Sequence, residues 1–250
     1  MISRRLGLGA MLCLVSCVPQ TGLGRAKPLA PGALRVGAAL VPSFESAMLQ
    51  PEQPVTGPWA RLLVGVHAGV SERLEVGGRA WAFTLPTVGS ELGAALDAKL
   101  ALRRAVEGDG PSVSVALSLA YDQPRLPGAP WHVLAATLPL LVGWDLGEHH
   151  LLVGPRVALQ GAGGYGMEPI VFPGFGASVG FFGHVAEGFD LAPEVVLMWA
   201  PIPFGGEGPL ASSRVGASSL QLALGGAWDD GGKPGSPVRA APQPSRNTVP

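Results

Sequence analysis

The chain has 250 residues and a formal net charge of −1, and charged residues make up only 14% of it. Soluble domains average about 25% charged residues, so this fraction is low. The mean hydropathy of the chain is +0.33, which is on the apolar side. The composition therefore argues against an ordinary soluble domain, and the absence of a basic patch from the sequence argues against nucleic-acid binding. Beyond the first residues there is no run of 18 uninterrupted apolar residues, so the sequence predicts no membrane-spanning helix.

The first residues have the pattern of an export signal. Arg4 and Arg5 precede an apolar run over residues 6–15, which is too short to cross a bilayer. Residues 14–17 read Leu-Val-Ser-Cys and resemble the lipobox of bacterial lipoproteins. The resemblance implies cleavage after residue 16 and a lipid on Cys17. Val18 stands where many such lipoproteins carry the Asp that retains them at the inner membrane, so the resemblance also implies sorting to the outer membrane.

The order of segments predicts four parts: a signal peptide at 1–16, a Gly- and Pro-rich tether at 17–32, a β-barrel at 33–228, and a disordered Pro-rich tail at 229–250. An ordinary cleaved signal with an incidental cysteine is the alternative for the first part. Under the lipoprotein interpretation, outer-membrane lipid is the expected partner.

Residues 91–103 show the pattern on which the fold prediction depends. Large apolar side chains occupy the even positions, from Leu92 to Leu102, and all the charged side chains occupy odd positions, including Asp97 and Lys99. A β-strand puts these two sets on opposite faces, whereas a helix would scatter the charges around its axis. The segment is therefore predicted to be a strand with one apolar and one polar face.

The same alternation recurs in ten segments and predicts an all-β, antiparallel up-and-down barrel. An even number of strands returns both chain ends to one side, which is expected to be the periplasm. The connections at 42–58, 123–130, 161–169 and 201–216 are expected to be long, and those on the other side short. Prolines within four strands remove ladder donors and suggest bulges there; they are Pro139, Pro155, Pro173 and Pro193. The predicted strands are about 33–41, 59–70, 73–84, 90–105, 112–122, 131–145, 150–160, 170–184, 189–200 and 217–228.

Alternation alone fits two kinds of barrel. A soluble periplasmic barrel would put its leucines inside, around an apolar ligand, and its charges in water. A membrane barrel does the reverse. Small residues crowd the polar face, for example Gly174 and Gly176, and they suit a narrow lumen. Aromatic residues such as Tyr121 and Trp228 share the apolar face near strand ends, as expected at a membrane interface. Both features favour an outer-membrane barrel.

The polar face then predicts a network of charges in the lumen. Acidic and basic residues are balanced in this network, so mutual pairing that plugs the barrel is favoured, and a narrow polar channel is the alternative. The predicted lumen-facing charges are Arg61, Glu75, Arg79, Glu91, Asp97, Lys99, Arg103, Arg156, Asp190 and Glu194.

Little in the sequence points to catalysis. Asp122 and His132 flank a connection at the outer rim and could act as orienter and base of a hydrolase. No motif surrounds them, so the sequence predicts a structural or narrow-channel role, not an enzyme. His149 and His150 in a turn are weak evidence for metal binding, and neither a metal nor another cofactor is expected.

Overall fold

The computed structural model describes residues 19, 24–47, 55–85, 89–105, 110–126, 129–164, 167–203 and 214–229. These residues form a closed barrel of ten antiparallel strands, which confirms the predicted fold class. Each strand pairs with its neighbours in sequence, and β1 pairs with β10 to close the sheet. No helix long and apolar enough to cross a membrane occurs among the described residues. The strands are β1 (Leu34–Ala47), β2 (Val55–Gly69), β3 (Leu74–Leu85), β4 (Gly89–Arg103), β5 (Ser112–Leu126), β6 (Ala129–Leu146), β7 (His149–Gly164), β8 (Met167–Ala186), β9 (Phe189–Pro203) and β10 (Arg214–Asp229).

The chain enters and leaves the barrel at the same end. Arg35 near the start of β1 is paired in register with Asp229 at the end of β10. We call this end, which also carries the β2–β3, β4–β5, β6–β7 and β8–β9 connections, the proximal end. The opposite end is the distal end. An even number of strands has this consequence in any up-and-down barrel, as the sequence analysis expected.

The side chains of β4 settle which face looks outward. Leu92 and Leu96 are 59% and 72% exposed, whereas Glu91 and Lys99 are only 5% and 6% exposed. Large apolar side chains thus form the outer wall, and the ionic groups are enclosed. This is the arrangement of a membrane barrel, so the alternative of a soluble barrel with an inward leucine face is wrong.

Aromatic side chains on the outer face lie towards both ends of the barrel. Tyr121 and Trp199 are exposed in the distal halves of β5 and β9, and Trp228 is exposed at the proximal end of β10. Trp81 lies on the other face of β3 and is buried inside the barrel. Such outward rings favour the headgroup zones on either side of a bilayer.

The predicted contrast between short and long connections holds only in part. The expected long connections at 123–130 and 161–169 shrink to 127–128 and 165–166, because the strands on either side extend further than their apolar residues indicated. The prolines do not shift the register: Pro139 is paired with Arg156 and Leu159 with Pro173. Register shifts occur instead between Ala101 and Arg103, between Ala162 and Gly164, and between His184 and Ala186.

The outward position of Leu96 gives a first prediction. Leu96 lies midway along β4 and Leu102 lies next to its proximal end, and both are exposed on the outer face. Arginine on the lipid-facing side costs about 2–4 kcal/mol at the bilayer midplane and about 0–1 kcal/mol near the interface. Leu96→Arg should therefore lower the free energy of unfolding from lipid vesicles, measured by urea titration, far more than Leu102→Arg. Equal losses for the two variants would contradict a midplane position for Leu96.

Candidate functional site

The lumen is the candidate functional site, because it encloses the predicted charges. Asp97 is half-buried, and Arg103 departs from the prediction because it is exposed at the end of β4. The register shift after Ala101 interrupts the alternation that pointed Arg103 inward. The predicted residues that are buried inside the barrel are Arg61, Glu75, Arg79, Glu91, Lys99, Arg156, Asp190 and Glu194.

The distal part of the lumen holds a two-pronged ion pair. Arg61 donates from Nε to Glu91 Oε1 at 2.6 Å and from Nη2 to Oε2 at 3.0 Å. Its remaining nitrogen, Nη1, donates to Ser43 Oγ at 2.9 Å. Because β1, β2 and β4 supply these three groups, the cluster joins strands that are not all neighbours. Fork-to-fork geometry of this kind makes such pairs strong as well as directional.

Trp81 crosses the same region of the lumen. Its indole Nε1 donates to Asp122 Oδ1 at 3.2 Å, across β4, which lies between β3 and β5. Gly93 on β4 makes this crossing possible, because a Cβ there would lie 2.2 Å from the indole ring. Around Trp81, inward residues such as Leu63, Ala95 and Val133 form an apolar belt. The distal lumen is thus filled by one large ring among aliphatic side chains.

Two further ion pairs lie near the middle of the strands. Arg79 donates to both oxygens of Asp97, at 2.6 and 2.9 Å, and to Ser118 Oγ at 2.7 Å. Arg156 donates to Glu194 Oε1 at 3.1 Å and also to Ser178. Charges buried this deeply are tolerable only when they are paired and hydrogen-bonded, which is the pattern that both arginines show.

The proximal end carries two ion pairs, and the sequence predicted the residues of only one of them. Lys99 Nζ lies 2.8 Å from Glu75 Oε1, as expected for lumen-facing neighbours. Arg35 also binds Asp229 with two hydrogen bonds of 3.1 and 2.8 Å, which join β1 to β10 at the seam. Neither residue of this pair was predicted to face the lumen. The alternation within β1 could have identified Arg35, since it shares parity with the small residue Gly37.

Part of the predicted tether lies inside the barrel. Residues 24–30, which we call the strap, cross the proximal mouth before the chain turns into β1. Ala26 is completely buried and packs against Leu141, Leu152 and Phe182. Ahead of the strap, the carbonyl oxygen of Pro19 accepts a hydrogen bond of 3.2 Å from Arg79 Nη1, so the chain also reaches the central ion pairs.

A cavity of about 60 Å³ lies between the strap and the central ion pairs. That volume is enough for a few water molecules. Gly24, Arg79, Lys99, Arg156 and Glu194 are among the residues that line it. The lining carries both signs of charge, so the cavity has no strong preference for either anions or cations.

The structure does not bring Asp122 and His132 together as a catalytic pair. Asp122 is buried inside the barrel, whereas His132 is exposed on the outer face, where Tyr121 Oη lies 2.7 Å from its Nδ1. The barrel wall separates the two groups. Among the described residues, no cluster of His, Cys, Asp and Glu side chains could hold a metal ion. The predicted lipidation site, Cys17, and the predicted tail beyond Asp229 lie outside the described residues.

Comparison with known proteins bears on the fold. No protein-family model and no curated protein sequence matches the chain. Among solved structures, the outer membrane protease OmpT from Escherichia coli is 6% identical with a TM-score of 0.50, covering 80% of this chain and 97% of its own. The translocator domain of the autotransporter NalP from Neisseria meningitidis is 15% identical with a TM-score of 0.41, covering 91% and 96%. The likeness to OmpT is one of architecture, a closed antiparallel barrel, and the outward leucines are those of a barrel that spans a membrane.

The distal ion pair generates a stability prediction. Removing one partner of a buried pair leaves an uncompensated charge and costs about 3–5 kcal/mol. Arg61→Met should therefore lower the free energy of unfolding in lipid by roughly that amount, and adding Glu91→Gln to it should recover part of the loss. The matched control is Arg104→Met, because Arg104 pairs with the exposed Glu72 and such pairs contribute about 0–1 kcal/mol. Urea titration of all three variants tests this, and similar losses for Arg61→Met and Arg104→Met would contradict burial of the pair.

Proposed function

We propose that the protein is a lipid-anchored barrel of the outer membrane whose lumen is closed at rest, and that its role is structural. The observation that carries the proposal is the filling of the lumen by paired charges at successive levels along the barrel. Arg61 is paired at the distal level, Arg79 and Arg156 at the centre, and Lys99 at the proximal level. A wide aqueous channel would leave such side chains solvated instead of pairing them.

The width of the barrel supports the same conclusion. Eight strands enclose a lumen that side chains just fill, and the diameter grows roughly in proportion to strand number. Ten strands add little room, and here Trp81 and the strap occupy it. A narrow polar channel, the alternative raised by the sequence, would require these groups to move.

The lipid anchor rests on the four residues that resemble a lipobox and on the position of the chain ends. The first strand, β1, begins and the last strand, β10, ends at the proximal side. We propose that this side faces the periplasm, where a lipid on Cys17 would enter the inner leaflet. Two extended residues span about 7 Å, so such an anchor could not leave Pro19 against Arg79 in the centre of the lumen. Acylation would thus withdraw Pro19, whereas residues 18–23 are long enough, at about 20 Å, to leave the strap in place.

Metabolic labelling with a radioactive fatty acid tests the anchor. Cys17→Ser should abolish incorporation of label, and Cys13→Ser, which alters the other cysteine of the chain, should leave it intact. Labelling that persists in Cys17→Ser would overturn the anchor.

The closed lumen and the membrane location need a separate experiment. The folded protein should fractionate with the outer membrane and migrate differently on gels before and after boiling. Reconstituted in liposomes, it should release potassium chloride no faster than protein-free liposomes do. Rapid, spontaneous release would contradict a lumen that is closed at rest.

A further inference from the structure

The strap is held as a bound peptide would be. Lys99 Nζ donates to the carbonyl oxygen of Arg25 at 2.9 Å, and Ser114 Oγ donates to that of Ala26 at 2.5 Å. In the other direction, the Ala26 amide donates to His150 Nε2 at 3.3 Å. Three separate strands, β4, β5 and β7, thus direct side chains at two consecutive peptide units.

The contact continues along the strap. The Leu29 amide donates to Glu75 Oε2 at 2.9 Å, which adds β3 to the strands that recognise the main chain. Glu75 also pairs with Lys99, and Asp145 Oδ1 lies 2.7 Å from His150 Nδ1. The Asp145 contact fixes the imidazole so that its Nε2 faces the strap. These groups are therefore positioned by partners of their own, as in a preformed site.

Two side chains of the strap are recognised as well. Arg25 forms an ion pair with Asp190 on β9, and His184 Nδ1 lies 3.4 Å from the same carboxylate. The methyl group of Ala26 lies in an apolar pocket formed by Leu141, Leu152, Phe182 and Ala192. The mouth thus contacts a basic residue through a carboxylate and the small apolar residue after it through apolar side chains.

The polar contacts that hold the strap are separate from the hydrogen bonds that join the strands. Each hydrogen bond described above joins it to a side chain, so its departure leaves the strand ladders intact. Between the strap and β1 the chain makes a turn, in which the Ala33 amide donates to the carbonyl oxygen of Ala30 at 3.0 Å. Gly32 in this turn has a φ of +80° and open space around it, which suits a hinge.

We propose that the proximal mouth is a binding site for an extended peptide, occupied by residues 24–30 of this chain, and that release of this strap opens the central cavity from the proximal side. The proposal rests on the membrane-embedded barrel with a closed lumen that is proposed above. Because the strap is joined directly to β1, its effective concentration at the site is on the order of millimolar, which favours the closed state. Once the strap leaves, the mouth exposes Glu75, Lys99 and Asp190, so small ions and water gain access to the cavity.

The test measures access to the cavity in the intact chain. Ala116 lines the cavity on β5 between Ser114 and Ser118, and Ala116→Cys places a reporter thiol there. This reporter protein is the parent of the variants compared below. Its rate of reaction with a charged methanethiosulfonate is measured in lipid nanodiscs, where both ends of the barrel are accessible. The chain that keeps Ala116 gives the background rate.

Arg25→Asp should raise the reaction rate about tenfold, the change expected when one charge-assisted hydrogen bond is lost. Lys27→Asp makes the same change of charge two residues away, at a side chain that makes none of the contacts above, and should change the rate less than twofold. Adding Asp190→Arg to Arg25→Asp should restore the slow reaction. Equal rates for Arg25→Asp and the parent, equal effects of Arg25→Asp and Lys27→Asp, or no recovery in the double variant would each overturn the proposal.

Folding and location are checked independently by heat-modifiable migration and membrane fractionation of every variant. If the parent protein is found among soluble proteins, the proposed membrane function fails whatever the reaction rates are. If the parent is in the outer membrane and the rates do not differ, only the binding site for the strap is refuted. A variant that does not fold is replaced by Ala26→Asp, which puts a charge into the apolar pocket and should likewise raise the rate about tenfold or more.

Discussion

Closure of the sheet between β1 and β10 is the condition on which the rest of this molecule depends. In hydrocarbon an unpaired backbone amide or carbonyl costs several kcal/mol, so a sheet can cross a membrane only if it has no open edge. Here β1 pairs with β10 in one constant register, from Arg35 opposite Asp229 to Ala47 opposite Ala217. The ion pair of Arg35 with Asp229 joins the same two strands at the proximal end. Backbone and side chains therefore close the barrel at one seam.

Closure also determines what the interior must contain. Once alternate residues face lipid, every remaining side chain points into a narrow space that it shares with the other strands. Charges placed there lose most of their hydration, and only pairing compensates for that loss. Arg79 and Asp97 lie on neighbouring strands, whereas Arg61 and Glu91 reach across β3 to meet. The pairs thus fix the relative positions of strands at several levels, and they leave little room for solvent.

The sequence predicted the parts of this structure that depend on alternation within one strand. Residues 91–103 predicted the strand, its two faces and the burial of Glu91 and Lys99. The prediction was possible because a two-residue period arises when successive side chains point to opposite faces of a strand. Which charge meets which could not be predicted, since pairing such as that of Arg156 with Glu194 depends on the register between strands. Arg103 was misplaced for a related reason, because one irregular residue reverses the parity of all that follow in the strand. The strap was missed altogether, since a short Gly- and Pro-rich segment has no periodicity to interpret.

The strap satisfies the hydrogen-bonding groups of the proximal mouth, which apolar side chains could not do. Glu75, Lys99 and Ser114 would be partly unsatisfied if the mouth were simply filled with apolar side chains, yet a peptide main chain supplies both donors and acceptors. A segment that must in any case lead into β1 can therefore complete the hydrogen bonding of the mouth at little cost in additional sequence. The same contacts make its residence conditional, because side-chain hydrogen bonds at a mouth can exchange with water, whereas ladder hydrogen bonds facing lipid cannot. Two different sets of hydrogen bonds thus serve stability and closure. The hydrogen bonds between strands hold the barrel in the membrane, and those that hold the strap determine whether solutes reach the centre of the lumen.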